Sequence, residues 1–369
     1  MRVVAARIEV IQIPLAPAGA AGGRGELRER RGLVLSLTDD EGRVGLGEAA
    51  PLPGFSPDDA PTCERALRAA AAALDPIEHR AAELPAAAIR RALAPLQRAL
   101  RDAPAARFAL ETALLDLLGQ RLGQPIAACL GGPRPYAEVP VNGLVTAAGD
   151  PAVLVDAARA LVARGIHHVK VKLRAQDDAG FAAELEALAA LRREVEPPGG
   201  LEIRLDANGA WTEDEARRRL AALAPIAPRF VEQPVAPARL DRLGPCAVPW
   251  AADESLGLPG MPERLLDAAG CAAFVLKPAA LGLLCAYDLG CLAQARGLGV
   301  VVTHFLDGPI GLAAACELAL GLPRPPLACG LDAHAGLSAW PPVSVPQRRG
   351  DALVTLSGRP GLGIARHDG

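Results

Sequence analysis

Apolar positions along the 369-residue chain keep two rhythms, which change near residue 136. Residues 2–15 alternate apolar and polar side chains like a half-buried strand. Residues 32–38 (Gly-Leu-Val-Leu-Ser-Leu-Thr) and 43–48 do the same on either side of Asp39-Asp40-Glu41-Gly42, a turn sequence, and predict a hairpin. Three helical periods follow, near 58–74, 86–100 and 105–122. Strands followed by helices predict a small α+β domain over residues 1–135. Between its first two strands, Ala16 to Arg31 is rich in Gly, Ala and Arg and has no apolar period, so it reads as a mobile loop.

From 136 to about 334, short β-branched runs alternate with Ala/Leu/Arg-rich helical stretches. Strands are expected at 138–145, 167–173, 201–206, 229–233, 248–252, 272–277, 299–303 and 327–331. Eight such units predict an α/β fold of the (β/α)8, or TIM-barrel, type. One helix start is explicit: Thr212-Glu213-Asp214-Glu215 has the form of a capping box. Residues 335–369 are Pro/Gly-rich, with one strand-like run, Ala352 to Leu356, and are expected to pack back on the N-terminal domain.

Composition narrows the class. The apolar fraction is 51% and the charged fraction 22%, as in a globular chain with a large core. A net charge of −3 gives no footprint for nucleic acid or an anionic membrane, and 3% aromatics rules against a base-stacking surface. The first ten residues carry charges where a signal peptide needs an apolar core, and charges such as Lys277, Asp288 and Asp307 interrupt every long apolar stretch. The eight cysteines form no close C-x-x-C pair and read as reduced thiols of a cytoplasmic protein.

Ionisable residues end five of the expected strands. The ends read His167-His168-Val169-Lys170-Val171-Lys172, Arg204-Leu205-Asp206-Ala207-Asn208, Phe230-Val231-Glu232-Gln233, Ala251-Ala252-Asp253-Glu254-Ser255 and Val275-Leu276-Lys277. From Lys172 to Asp206, Glu232, Asp253 and Lys277 the successive intervals are 34, 26, 21 and 24 residues, each about one strand–helix unit. Barrels build their sites at these C-terminal strand ends. A lone carboxylate there is as readily a cap or a salt bridge, but Asp206, Glu232 and Asp253 stand on consecutive strands. An all-oxygen set of this kind suits a hard cation, Mg²⁺ or else Mn²⁺. Lys170 and Lys172 are two apart and share a strand face. Their proximity is expected to lower one ammonium pKa toward that of a usable general base. Lys277 stands across the barrel as a second base or a fixed cation.

These residues resemble the muconate-lactonizing branch of the enolase superfamily, whose members use a lysine or histidine base with Mg²⁺ to stabilise an enediolate. Further segments are similar to those of o-succinylbenzoate synthases: Gly45 to Ser56, Arg107 to Ala113, Val139-Pro140-Val141-Asn142-Gly143 and Gly330-Leu331-Asp332. The resemblance implies that Asp206, Glu232 and Asp253 bind the metal, that Lys172 takes the proton alpha to a carboxylate, and that Lys277 stabilises the product of that step. It further implies that Lys170 tunes Lys172 and pairs with Glu254, and that Asn208 supports the metal ligands. Asn142, Thr303 and Asp332 would lie beside substrate, Phe55 on a turn closing over the mouth, and Arg31 near an anionic tail. His304 is at a base position of the mandelate-racemase branch, which pairs it with a strand-six aspartate; here, with Lys277 on that strand, it reads as a neutral polar neighbour. The strand-seven end, Thr303-His304-Phe305-Leu306-Asp307-Gly308, departs from the serine-rich end of many such synthases.

The expected reaction is a dehydration that aromatises a cyclohexadiene carboxylate, on a small-molecule carboxylate substrate. Racemisation of N-acyl amino acids or epimerisation of dipeptides would use the same residues, with both lysines exchanging protons. Cycloisomerisation of a muconate and a non-catalytic binding role are the other readings. The pattern does not indicate an oligomeric state.

Overall fold

The computed structural model describes residues 1–14, 29–131, 138–146, 149–196, 200–332, 334, 337, 347–349, 353–355 and 359–364. Most of the expected loop from Ala16 to Arg31 lies outside them. Its last three residues open a strand.

Strands β1 (Val3–Pro14), β2 (Glu29–Asp39) and β3 (Val44–Ala49) form an antiparallel sheet in that order. The predicted hairpin is β2–β3, closed by Asp39, whose carboxylate accepts from the main chain of Glu41 and Arg43. Helices α1 (Ala60–Ala72), α2 (Pro85–Leu93), α3 (Gln97–Leu100), α4 (Pro104–Leu122) and α5 (Ile126–Leu130) follow. Proline near the start of α1, α2 and α4 suits a position whose N–H has no helical acceptor. Helix α4 is buried over most of its length because β3 offers Gly45 and Gly47 to it. A β-carbon on either glycine would collide with the main chain of Ala113 or Ala109.

Strands β4 (Glu138–Pro140) and β5 (Gly143–Val145) come next, followed by the helices and strands of the barrel. In order these elements are α6 (Pro151–Ala163), β6 (His168–Lys172), α7 (Asp178–Glu194), β7 (Glu202–Asp206), α8 (Glu213–Leu223), β8 (Val231–Glu232), β9 (Trp250–Ala252) and α9 (Met261–Leu266). Then come β10 (Cys271–Leu276), α10 (Pro278–Leu281), α11 (Leu283–Ala295), β11 (Gly299–Val302) and α12 (Pro309–Gly321). Strands β5 to β11 form one parallel sheet in chain order. The capping box at Thr212 and Glu215 is formed in both directions.

Two expectations about the barrel need correction. The run 138–145 is not one strand: β4 leaves the barrel to pair antiparallel with β13 (Leu353–Thr355), which also pairs with β12 (Gln347–Arg349). The eighth strand, 327–331, is present only as bridges. Leu327 and Gly330 donate to Val300 and Val302 on one side, Cys329 donates to Pro140 on the other, and Asn142 donates back to Cys329. These bonds join both edges of the seven-stranded sheet and close it. The C-terminal residues also reach the helices of the first unit, where Leu362 N–H donates to Asp116 and Ile126 N–H to Gly361. All eight cysteines are free, and no helix among the described residues is long and apolar enough to cross a membrane.

Candidate active site

The parallel register sets the depth of each strand end. Lys172 is level with Asp206, and Asp206 with Glu232, so β6, β7 and β8 finish in step. Asp253 follows β9 directly and Lys277 follows β10. Lys170 and Lys172, on alternate positions of β6, both line one cavity of about 330 Å³ with Asp206, Glu232 and Lys277. Asn142, Asn208, Thr303, His304, Asp332 and Phe55 line the same cavity. Asp253 and Glu254 line a neighbouring cavity of about 630 Å³ between barrel and cap. Phe55, Val275, Lys277 and Phe305 face both spaces.

Asp206, Glu232 and Asp253 are buried, and each is met by an ammonium group. Lys170 Nζ lies 2.7 and 2.8 Å from the two Glu232 oxygens and 2.9 Å from Asp206 Oδ2. Lys172 Nζ is 3.4 Å from the same Asp206 oxygen. Lys277 Nζ donates to Asp253 Oδ2. Burial opposes the charge on Lys170, but Asp206, Glu232 and Asp253 outweigh it and raise its pKa above the ordinary lysine value. Burial likewise opposes charge on Lys277, and Asp253 and Glu254 overcome it. The lowered ammonium expected from the Lys170–Lys172 repulsion is therefore not the outcome for Lys170: three carboxylates act on it more strongly than one neighbouring lysine.

The expected pairing of Glu254 with Lys170 is also corrected. Glu254 accepts from Asn208 Nδ2 at 3.3 Å, and Asn208 Oδ1 accepts from Lys172 Nζ at 2.8 Å. Asn208 thus bridges Lys172 and Glu254. Arg31 lies exposed on β2 and does not line the cavity. Its neighbour Arg30 points the other way and is wholly buried, as strand alternation requires.

His304 is held by its surroundings on both ring nitrogens. Nδ1 accepts from Leu306 N–H at 2.8 Å, so Nε2 carries the proton and donates to the Asp332 carbonyl at 3.2 Å. Burial, with His334 nearby, pushes its pKa down to about 4. A neutral ring with both nitrogens engaged is not placed to act as a base. Thr303 donates to the Gly330 carbonyl at 3.2 Å, and Asp332 is ion-paired with Arg164 at 2.7 Å.

Sequence reasoning missed Gln233 and Ser255. Gln233 accepts from the main chain of Asp253 and Ser255 and donates to Ser255 Oγ, locking the ends of β8 and β9 together. Arg204, Arg164, Phe305 and His334, which also line the cavity, were missed as well. A polar Gln and Ser directly after the strand-end acids was the available signal for the first pair.

As they stand, the carboxylates are drawn to ammonium groups. Among the described residues no three acidic, histidine or cysteine side chains gather around one point. The donor set nevertheless fits a hard divalent cation. Three buried acids end three adjacent strands, and Asp206 Oδ2 is buried without an aligned hydrogen bond. Lys170 and Lys277 hold positive charge there now.

A closed parallel barrel with acids and lysines at its strand ends, beneath an α+β cap, defines a class, and the comparisons agree with it. The chain belongs to the enolase superfamily. Residues 153–368 match the family described as Enolase C-terminal domain-like, and residues 8–131 match the N-terminal domain of mandelate racemase / muconate lactonizing enzyme. Among its relatives is the o-succinylbenzoate synthase of Thermobifida fusca, 39% identical over 56% of this chain and 63% of the relative. The o-succinylbenzoate synthase of Desulfotalea psychrophila is 36% identical over 58% of each chain, so the match spans less than two thirds of either synthase. Muconate cycloisomerase 1-1 of Acinetobacter lwoffii is 31% identical over 70% of this chain and 67% of the relative. Among solved structures, a dipeptide epimerase from Methylococcus capsulatus, complexed with Mg and a dipeptide, superposes with a TM-score of 0.80. It is 25% identical, with 99% of each chain covered.

Proposed function

We propose that this chain is a magnesium-dependent lyase that dehydrates 2-succinyl-6-hydroxy-2,4-cyclohexadiene-1-carboxylate to o-succinylbenzoate, a step of menaquinone biosynthesis. One observation carries the reading. Lys172 and Lys277 stand four strands apart and face one cavity, and the intervening strand ends carry three buried carboxylates. Asp206, Glu232 and Asp253 would hold Mg²⁺, or Mn²⁺ in its place. The bound cation would supply positive charge beside the substrate carboxylate, where charge develops as the alpha proton leaves.

The chain's own residues do the rest. Lys172, oriented by Asn208, takes the alpha proton as a neutral amine. Lys277 faces the resulting enediolate as a fixed ammonium and stabilises its charge. Collapse of the enediolate expels the hydroxyl group with the proton carried by Lys172, releasing water and leaving an aromatic ring. Phe55, on the turn where Phe55 and Ser56 both donate to the Leu52 carbonyl, stands at the edge of the space and excludes water. The two synthase relatives favour this outcome over other reactions of the family.

Epimerisation of dipeptides or racemisation of N-acyl amino acids is the second reading. It is favoured by the lysines' opposed placement and by the whole-chain likeness to the dipeptide epimerase. An ultraviolet assay of the cyclohexadiene substrate with Mg²⁺, comparing wild type with Lys172→Ala, tests the first reading. Magnesium-dependent aromatisation that is lost in the variant supports it. Absence of turnover by the wild type removes it, and alpha-deuterium exchange into N-succinyl amino acids and dipeptides then tests the second.

A further inference from the structure

The strand-seven turn is tied down by side chains from outside the barrel. Arg30 Nη1, from β2 of the cap, donates to the carbonyls of Phe305 and Leu306, both at 2.6 Å, and Nη2 reaches Asp307 Oδ1 at 3.4 Å. Asp307 turns back to accept from Phe305 N–H. Glu48, at the end region of β3, accepts from Gly308 and Gly311 at 2.6 and 2.9 Å and so caps α12. Arg30, Glu48 and Asp307 are all buried. The turn they hold is not one the chain adopts by preference, since Leu306 sits at φ +57°, where a branched side chain is strained.

The turn delivers Phe305. Its ring lies with its centroid 4.8 Å from Lys277 Nζ, and both residues line both cavities. The Asp253 carboxylate and the Phe305 ring face both attract the ammonium.

We infer that Arg30 is a positioning residue for this site: by holding the Phe305 and Leu306 carbonyls it sets the Phe305 ring against Lys277 and so aims the ammonium into the reaction cavity. Arg30 itself lines neither cavity. The inference rests on the reading that Lys277 serves the enediolate. It adds a requirement that the cap control the chemistry through main-chain contacts as well as by covering the mouth.

The test has two parts, both on the full chain with Mg²⁺ present. The first is a double-mutant cycle of Arg30→Lys and Phe305→Leu. Lysine keeps a positive charge but has one nitrogen, so it cannot hold the two carbonyls and Asp307 at once as Nη1 and Nη2 do. Each single change should lower kcat roughly 10- to 100-fold with KM within about threefold, because a displacement near 1 Å is costly to chemistry. The double variant should be no worse than the weaker single by more than about threefold. Independent, multiplying losses would overturn the inference, as a merely structural role for Arg30 predicts them.

The second part needs no turnover. With fluorine-labelled phenylalanine (the chain has six), the Phe305 resonance is assigned by its loss in Phe305→Leu. It should shift in both Arg30→Lys and Lys277→Met. An unmoved resonance in Arg30→Lys overturns the inference, whatever the activity. If the wild type fails to aromatise the cyclohexadiene, the dehydration reading fails alone. The cycle is then read in alpha-deuterium exchange, and the fluorine spectra stand unchanged.

Discussion

At Asn208, two residues past the strand that ends at Asp206, the backbone turns left-handed, φ +46°. Asparagine tolerates that conformation better than most residues, and its own N–H returns to Asp206 Oδ1 at 3.0 Å. Its side chain meanwhile accepts from Lys172 and donates to Glu254. Asn208→Ala removes the acceptor that orients the proposed base and leaves the acids in place. Turnover should fall about 10- to 100-fold while Mg²⁺ binding changes less, the usual scale for losing an orienting partner. Steady-state kinetics beside a magnesium titration would check this, and unchanged turnover would mean that something else orients Lys172. The neighbouring arginines show where residue-level reading stopped. Arg30 and Arg31 differ in sequence only by strand parity, and parity depends on where β2 begins. The Gly/Arg-rich text before residue 32 has no apolar alternation to mark that start, so the buried and exposed members of the pair could not be told apart.

Among elements, the packing of α4 on β3 and of α12 on α5 sets how the cap sits. Gly47 has no room for a β-carbon against the main chain of Ala109. Gly47→Ala should lower stability by about 1–3 kcal/mol or more, as overpacking does, and should be visible as a reduced denaturation midpoint. Across α12, Glu317 accepts from Ala127 N–H at 2.8 Å and is buried. Burial, opposed by that hydrogen bond, pushes its pKa up to about 8. A carboxyl raised this way contributes stability that is complete below its unfolded value near 4.5 and is lost as pH rises toward 8. Thermal unfolding of Glu317→Gln against wild type at pH 5, 7 and 9 should therefore show the wild type losing ground steadily. Parallel curves would refute the assignment. Much at this scale was readable. Each barrel unit repeats an apolar strand, a polar end and a helix, so the intervals between Lys172, Asp206, Glu232, Asp253 and Lys277 reported the topology directly. Strand 327–331 and the diverted β4 were not readable, because hydrogen bonds to distant edges decide whether such short runs become strands, barrel staves or bridges.

For the whole molecule, the arrangement of charge at the barrel mouth makes a demand on any cation that enters. Asp206 and Glu232 hold Lys170, and Asp253 holds Lys277, so binding must exchange ammonium contacts for metal contacts. A ligand that binds only the folded state stabilises it by about 2.7 kcal/mol at one hundred times its dissociation constant. Saturating Mg²⁺ should thus raise the unfolding temperature of the wild type, and Asp206→Asn should erase most of that rise. Lys170→Met sharpens the case. Removing the ammonium leaves buried Glu232 without its counter-charge and Asp206 with only Lys172 at 3.4 Å, a strongly destabilising change in a metal-free protein. The variant should be less stable than wild type in EDTA and should gain more from Mg²⁺ than wild type gains. Were Lys170→Met to lose stability equally with and without the cation, its ammonium would be a structural counter-charge rather than a stand-in for metal. The three acids would then have to be read as an ion-pair network closing the barrel.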